Sequence, residues 1–131
     1  MLRFRDLMQF PSFYSKRQNT IRQTEINIVN VNKQENFVEI EGKSKDYKQT
    51  IRVIGQQIIS NSAVQINCTC QSFKFEFAHA LLKHESLLNP EKFGTELLKK
   101  PSKKNTYLVP SGCKHIIALA TNFNKHKHKY S

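Results

Sequence analysis

Three cysteines and one histidine fall into two tight pairs, Cys68-Thr69-Cys70 and Cys113-Lys114-His115. Forty-two residues separate the pairs, and together they use every cysteine of the chain. The pattern is C-x-C…C-x-H. Thiolate sulfur and imidazole nitrogen are the donors zinc prefers, in sets of four and in tetrahedral geometry. On an extended strand, residues two apart point to the same face, so Cys68 and Cys70 can aim two sulfurs at one ion. On a helix, residues two apart diverge by roughly 200°. Cys113 and His115 therefore converge only if Cys113 lies just outside a helix and His115 in its first turn. The flanking sequence fits that arrangement: Pro110-Ser111-Gly112 is a turn signal, and Ile116-Ile117-Ala118-Leu119-Ala120 is a helical apolar run. A helix N-terminus also favours a nearby thiolate.

Three other readings compete with zinc. The cysteines can serve as small buried hydrophobes. A disulfide framework suits neither the odd count nor the lack of a visible signal peptide. A Cys-His catalytic pair needs a third group to orient the base, and nothing in the sequence marks one. The ligand chemistry favours a structural zinc, one per chain, held by Cys68, Cys70, Cys113 and His115.

C-x-C…C-x-H resembles the SWIM-type zinc finger. This is a ββα module of transposase-like, chromatin-associated and signalling proteins, where it is regarded as a DNA- or protein-interaction element. The spacing between the pairs is at the long end for that family. The stretch Cys68-Thr69-Cys70-Gln71-Ser72-Phe73-Lys74-Phe75-Glu76-Phe77-Ala78, with Gly112-Cys113-Lys114-His115, is similar to a narrower set: small SWIM-like proteins encoded by tailed bacteriophages, often among virion genes. That likeness covers about half the chain. It implies a phage setting, in the host cytoplasm, the virion or both, without specifying a role.

The ligands need elements to hold them. Residues 20–70 read as four short strands separated by polar turns, an antiparallel meander. Thr20 to Val31 is β-rich, and Phe37 to Glu41 follows a turn. Tyr47 to Ile54 alternates, with Tyr47, Gln49, Ile51 and Val53 on one face. A short helical turn is expected at Gln56–Ile59. Ala63 to Cys70 is the fourth strand, with Val64 and Ile66 on the face of the two cysteines. Over 72–88, Phe73, Phe77 and Leu81 recur at helical spacing, and Ser72 is a plausible N-cap. Residues 113–124 form the second helix, burying Ile116, Leu119, Ala120 and Phe123. The expected fold class is α+β: a four-stranded antiparallel sheet followed by two helices, stapled by one zinc in a SWIM-like ββα arrangement. Residues 1–20 read as an N-terminal arm, with a short helix over Arg5–Gln9 and aromatics that fold back on the core in preference to docking on a partner. Residues 21–124 read as one zinc-binding domain with a basic loop at 89–112, and 125–131 as a frayed basic tail.

The chain of 131 residues carries 21 Lys and Arg against 10 Asp and Glu, a formal charge of +11. The surplus is +4 over residues 1–60 and +7 over 61–131. An excess of this size supports affinity for phosphate backbones or acidic protein surfaces. Lys99, Lys100, Lys103 and Lys104 in the loop, and Lys125, Lys127 and Lys129 in the tail, are the candidate contacts. No apolar run approaches the ~20 residues of a membrane span, so no membrane association is expected. Carboxylates are sparse, with no D-x-D or paired acidic cluster for Mg²⁺, and no H-E-x-x-H. The helix after His115 opens with core-like residues, and no clear recognition element is visible in it. The expectation is a non-enzymatic structural or assembly protein, without catalytic residues or a small-molecule substrate. It would dock on other proteins of a larger assembly, as a phage virion component in the setting the resemblance implies, and touch a DNA or RNA backbone through its basic surface. The alternative is a sequence-nonspecific DNA-binding or regulatory SWIM protein.

Overall fold

The computed structural model describes residues 1–8, 24–58, 60–93 and 111–129. Its centre is an antiparallel sheet of five strands, not four. The strands are β1 (Leu2–Arg3), β2 (Asn27–Lys33), β3 (Phe37–Ser44), β4 (Tyr47–Ile54) and β5 (Ala63–Cys68), in the spatial order β1-β5-β4-β3-β2. The expected meander is β2 to β5. The extra strand comes from the chain's start, where Leu2 pairs with Val64 and Arg3 with Ala63. Leu2, Phe4 and Leu7 are buried, and Phe4 meets Phe123 edge-on at 6.3 Å. Burying three large apolar side chains outweighs the freedom lost in ordering so short a segment. A 3-10 turn, Phe4–Met8, stands where a helix over Arg5–Gln9 was expected.

β1 is too short to cover the free edge of β5. Residues 85–88 cover the rest: Ile66 N–H donates to the Ser86 carbonyl at 2.9 Å and accepts at its own carbonyl from Leu88 N–H at 2.9 Å. The buried Ser86 hydroxyl accepts from Leu2 N–H at 2.7 Å, tying the two edge pieces together. This pairing also ends the first helix early. The helical stretch after Cys70 does not reach residue 88 but consists of a π-helical turn, Phe73–Phe77, continuing as α1 (Ala78–Lys83). The N–H of Ala78 donates to the Phe73 carbonyl, the five-residue reach of a π turn. Phe73, Phe77 and Leu81 are all fully buried, as their helical spacing requires, while Phe75 is exposed. Ser72 has helical dihedrals and makes no capping bond, so it is not the N-cap.

α2 (Lys114–His126) crosses the same face of the sheet, burying Ile116, Leu119, Ala120 and Phe123 against Ile40, Ile51, Ile66 and their neighbours. It continues into a 3-10 turn, Lys127–Lys129, so the expected frayed tail is ordered up to that point. Residues 55–57 bend, so the described part of the helical turn expected over Gln56–Ile59 is not helical, and residue 59 lies outside the described residues. Most of the arm and of the 89–112 loop, with Lys99, Lys100, Lys103 and Lys104, lies outside the described residues. The loop's start is structured: Pro90–Lys92 forms a 3-10 turn, and Phe93 packs 6.1 Å from Phe73. No helix among the described residues is long and apolar enough to cross a membrane.

Candidate metal centre

The four expected ligands come together at one end of the sheet. Cys68 is the last residue of β5 and faces the core in register with Val64 and Ile66, all fully buried. The strand stops there, two residues short of the expected end, and Cys70 lies on the bend that leads into the π turn. Thr69 holds this bend to the neighbouring strand. Its N–H donates to the Lys48 carbonyl at 3.1 Å, and its hydroxyl accepts from Lys48 N–H at 3.0 Å. Cys70 is therefore placed by a side chain bridging to β4 as well as by strand alternation.

Cys113 is the N-cap residue of α2, with extended dihedrals (φ −71°, ψ 176°), and its carbonyl accepts the N–H of Ile117 at 3.1 Å. His115 lies in the first turn, as the spacing argument requires. Gly112 is needed for close approach, because a Cβ there would lie 2.5 Å from Ile116 Cγ2 and 2.7 Å from Ile116 Cβ.

The three sulfurs and one imidazole nitrogen lie within 4.8 Å of one another, and all four residues are buried. His115 presents Nδ1, 3.9 Å from the sulfurs of both Cys68 and Cys113. Zn–S bonds near 2.3 Å and Zn–N bonds near 2.0–2.1 Å imply tetrahedral edges of about 3.6–3.8 Å. The donor set fits zinc by element type, number and spacing.

The thiols themselves argue for a cation. Burial pushes the Cys113 thiol well above its ordinary range, and hydrogen bonds to Cys68 and Cys70, with their charges, push it further. At Cys68, a hydrogen bond from Cys113 acts downward. The contact with Cys70, burial and the Cys70 charge outweigh it and push the thiol up to about 12. Cys70 goes the other way: hydrogen bonds from Cys113 and Cys68 hold it far below the ordinary range despite burial. Three thiols in one dry pocket thus sustain a single thiolate by themselves. A divalent cation removes that limit, since a coordinating thiol is deprotonated outright. Zinc bound here would supply charge neutralisation and a cross-link between β5 and α2.

Two residues of the surround were not singled out in the sequence. The buried Gln49 donates its side-chain N–H to Cys68 Sγ at 3.8 Å, and the N–H of Phe73 donates to Cys70 Sγ at 3.4 Å. Gln49 was detectable as the one polar side chain on the β4 face otherwise formed by Tyr47, Ile51 and Val53. The Phe73 contact reaches back three residues to Cys70 and had no signal in the sequence. Tyr47 covers the site from outside, its ring 5.3 Å from that of His115. The tail lysines Lys125, Lys127 and Lys129 are exposed at the far end of α2 from Cys113, remote along the helix from the metal ligands.

The family model for the SWIM zinc finger matches residues 38–81 and 111–124. The two pieces contain all four ligands and map onto β3, β4, β5, the π turn with α1, and α2. Residues 82–110 fall between them, so the long spacing is an insertion between α1 and the second ligand pair. No curated protein and no solved structure shows significant similarity to the chain. The two matched segments are similar to a SWIM zinc finger, and the fold brings their Cys3His set together in one cluster.

Proposed function

We propose that the chain is a non-enzymatic binding module in which one structural zinc holds the end of the sheet against α2, leaving recognition to the basic surface around it. The observation that carries this reading is the donor set itself. Four buried protein donors are enough to fill a tetrahedral site, which would leave no position for water or substrate, whereas catalytic zinc keeps one open. The charge of +11 supports a polyanionic partner, either a nucleic-acid backbone or the acidic surface of a larger protein assembly. Assembly into a bacteriophage virion belongs to this proposal and rests only on the sequence resemblance described above. A regulatory, sequence-indifferent DNA-binding role is the second reading, favoured by the same charge.

Native mass spectrometry with metal analysis tests the foundation. One zinc per chain is expected, and Cys70→Ser should lose it and lower the melting temperature. A protein that contains no metal and melts identically with and without chelator would overturn the structural-zinc reading.

A further inference from the structure

The walls of the metal centre are unequal. Cys68 and Cys113 are 0% exposed, Cys70 4% and His115 6%. The sulfur of Cys70 accepts the N–H of the fully buried Phe73, and the sulfur of Cys68 accepts from the buried Gln49 amide. Both of these walls belong to the core, where close packing leaves side chains little room to move. His115 is met instead by the ring of Tyr47, at 5.3 Å between centroids and 45° between planes. Tyr47 opens β4, and strand alternation points it to the same face as Gln49, Ile51 and Val53. Those three are at most 1% exposed, whereas Tyr47 is 38% exposed. One wall of the site is therefore a side chain with its ring against a ligand and a third of its surface in water. Exposed side chains change rotamer far faster than packed segments open, so this wall can swing aside without disturbing the core. His115 is also the neutral donor of the set, and its detachment, unlike that of a thiolate, separates no opposite charges.

We propose that Tyr47 is the gate for metal exchange: the site is entered and left past His115, and the Tyr47 ring resting on that imidazole sets how fast. This role rests on the structural-zinc reading and adds to it a route and a controlling residue. The contact is ring to ring, so the gate needs the aromatic ring and not the hydroxyl. An obstacle on a path slows both directions alike. Removing it raises release and capture together and leaves the affinity where it was. A packing partner that only held His115 in place would behave otherwise, because its loss would quicken release alone and weaken binding by the same factor. Rate and affinity measured side by side therefore separate a gate from a support.

The test uses the zinc-loaded full chain. Release is followed as transfer of zinc to an excess of the indicator chelator 4-(2-pyridylazo)resorcinol, and affinity is measured by equilibrium competition with a second chelator. Tyr47→Ala should speed release roughly three- to tenfold, the range that loss of one aromatic contact sets on a rate, with affinity unchanged. Tyr47→Phe should release zinc at the wild-type rate. Phe4→Leu thins the core beside Phe123, about two turns along α2 from His115. It should lower the melting temperature and leave release unaltered. A wild-type release rate in Tyr47→Ala would overturn the gate while leaving the structural zinc standing. So would faster release matched by an equal loss of affinity, which would make Tyr47 a support for His115. Tyr47→Phe behaving like Tyr47→Ala would move the effect to the hydroxyl and sink the ring-to-ring account. Faster release in Phe4→Leu would mean that exchange proceeds by opening of the whole fold, again without a gate. A wild-type chain that carries no zinc would instead remove the structural-zinc reading itself.

Discussion

Gln49 donates to Cys68 through its side-chain N–H and leaves its own Oε1 buried with no hydrogen-bond partner among the described residues. An unmatched buried amide oxygen costs about 1–3 kcal/mol, a defect a methionine at that position would avoid. Its retention makes sense if the N–H is aimed at a thiolate, because partners behind the ligands orient them and tune the metal. Gln49→Met keeps the volume and removes both polar atoms. Zinc affinity measured by chelator competition should fall roughly 10- to 100-fold, while the metal-free protein melts no lower than wild type. Unchanged affinity would show that the contact to Cys68 has no part in holding the metal. Gly112 sets a different constraint at the same site: its missing Cβ is what lets the chain pass Ile116 and enter α2 directly at Cys113.

At the scale of elements, two glycines bring α2 close to its surroundings, and they differ in how replaceable they are. A Cβ at Gly42 would lie 2.7 Å from Leu119 Cδ1, the far end of a side chain able to shift its rotamer. A Cβ at Gly112 would meet Ile116 at its own Cβ, which is fixed to the helix backbone and cannot turn away. Gly112→Ala should therefore cost about 1–3 kcal/mol of overpacking and also weaken zinc binding, because it displaces Cys113. Gly42→Ala should cost less and leave zinc binding intact. Chemical denaturation with parallel metal titration separates the two, and equal losses would mean that the helix entry is not constrained by this contact. The edges of the sheet follow a similar logic. β5 is closed by two short segments joined through Ser86, whereas β2, at the opposite edge, carries a bulge between Ile28 and Asn30 that leaves Val29 exposed. A bulge bends an edge strand and discourages pairing with another chain.

For the whole molecule, the metal links folding to pH. In the metal-free protein, Cys68 and Cys113 hold their protons beyond the ordinary thiol value of 9.0, while Cys70 loses its proton early. A thiol raised on folding contributes stability that is complete below its unfolded value and is lost as pH rises through its folded value. Cys68 and Cys113 therefore make the metal-free fold lose stability from about pH 9 upward. Cys70 is depressed, so its contribution is complete above the unfolded value and declines as pH falls below it. The metal-free protein should be most stable near the ordinary thiol range. With zinc bound all three sulfurs are already thiolates, and the alkaline decline should vanish. Acid should instead release the metal as protons compete for the ligands. Thermal melts from pH 6 to 11, with and without chelator, check this, and an alkaline decline of equal size in both series would contradict it.

Much of the site was legible in the sequence. The ligand set followed from donor chemistry, because the three cysteines of the chain fall in two close groups and a histidine two residues after Cys113 completes the set of four. The placement of Cys113 outside a helix and of His115 in its first turn followed from helical geometry alone, as did the buried face of α2. The meander from β2 to β5 was readable because alternation over Phe37–Ser44, Tyr47–Ile54 and Ala63–Cys68 is a local property of the chain. What the tertiary structure decided was non-local. The two residues of β1 carry no periodicity, and only the free edge of β5 makes them a strand. The helix after Cys70 stops at Lys83 because residues 85–88 are drawn to that same edge. The π turn leaves no mark in the helical spacing of Phe73, Phe77 and Leu81, and Gln49 and Tyr47 acquire their relation to the metal only when β4 lies beside β5. Local pattern determined which residues can bind zinc and which elements carry them. The closing of edges and the filling of the core determined what surrounds the metal, because those depend on partners distant in the chain.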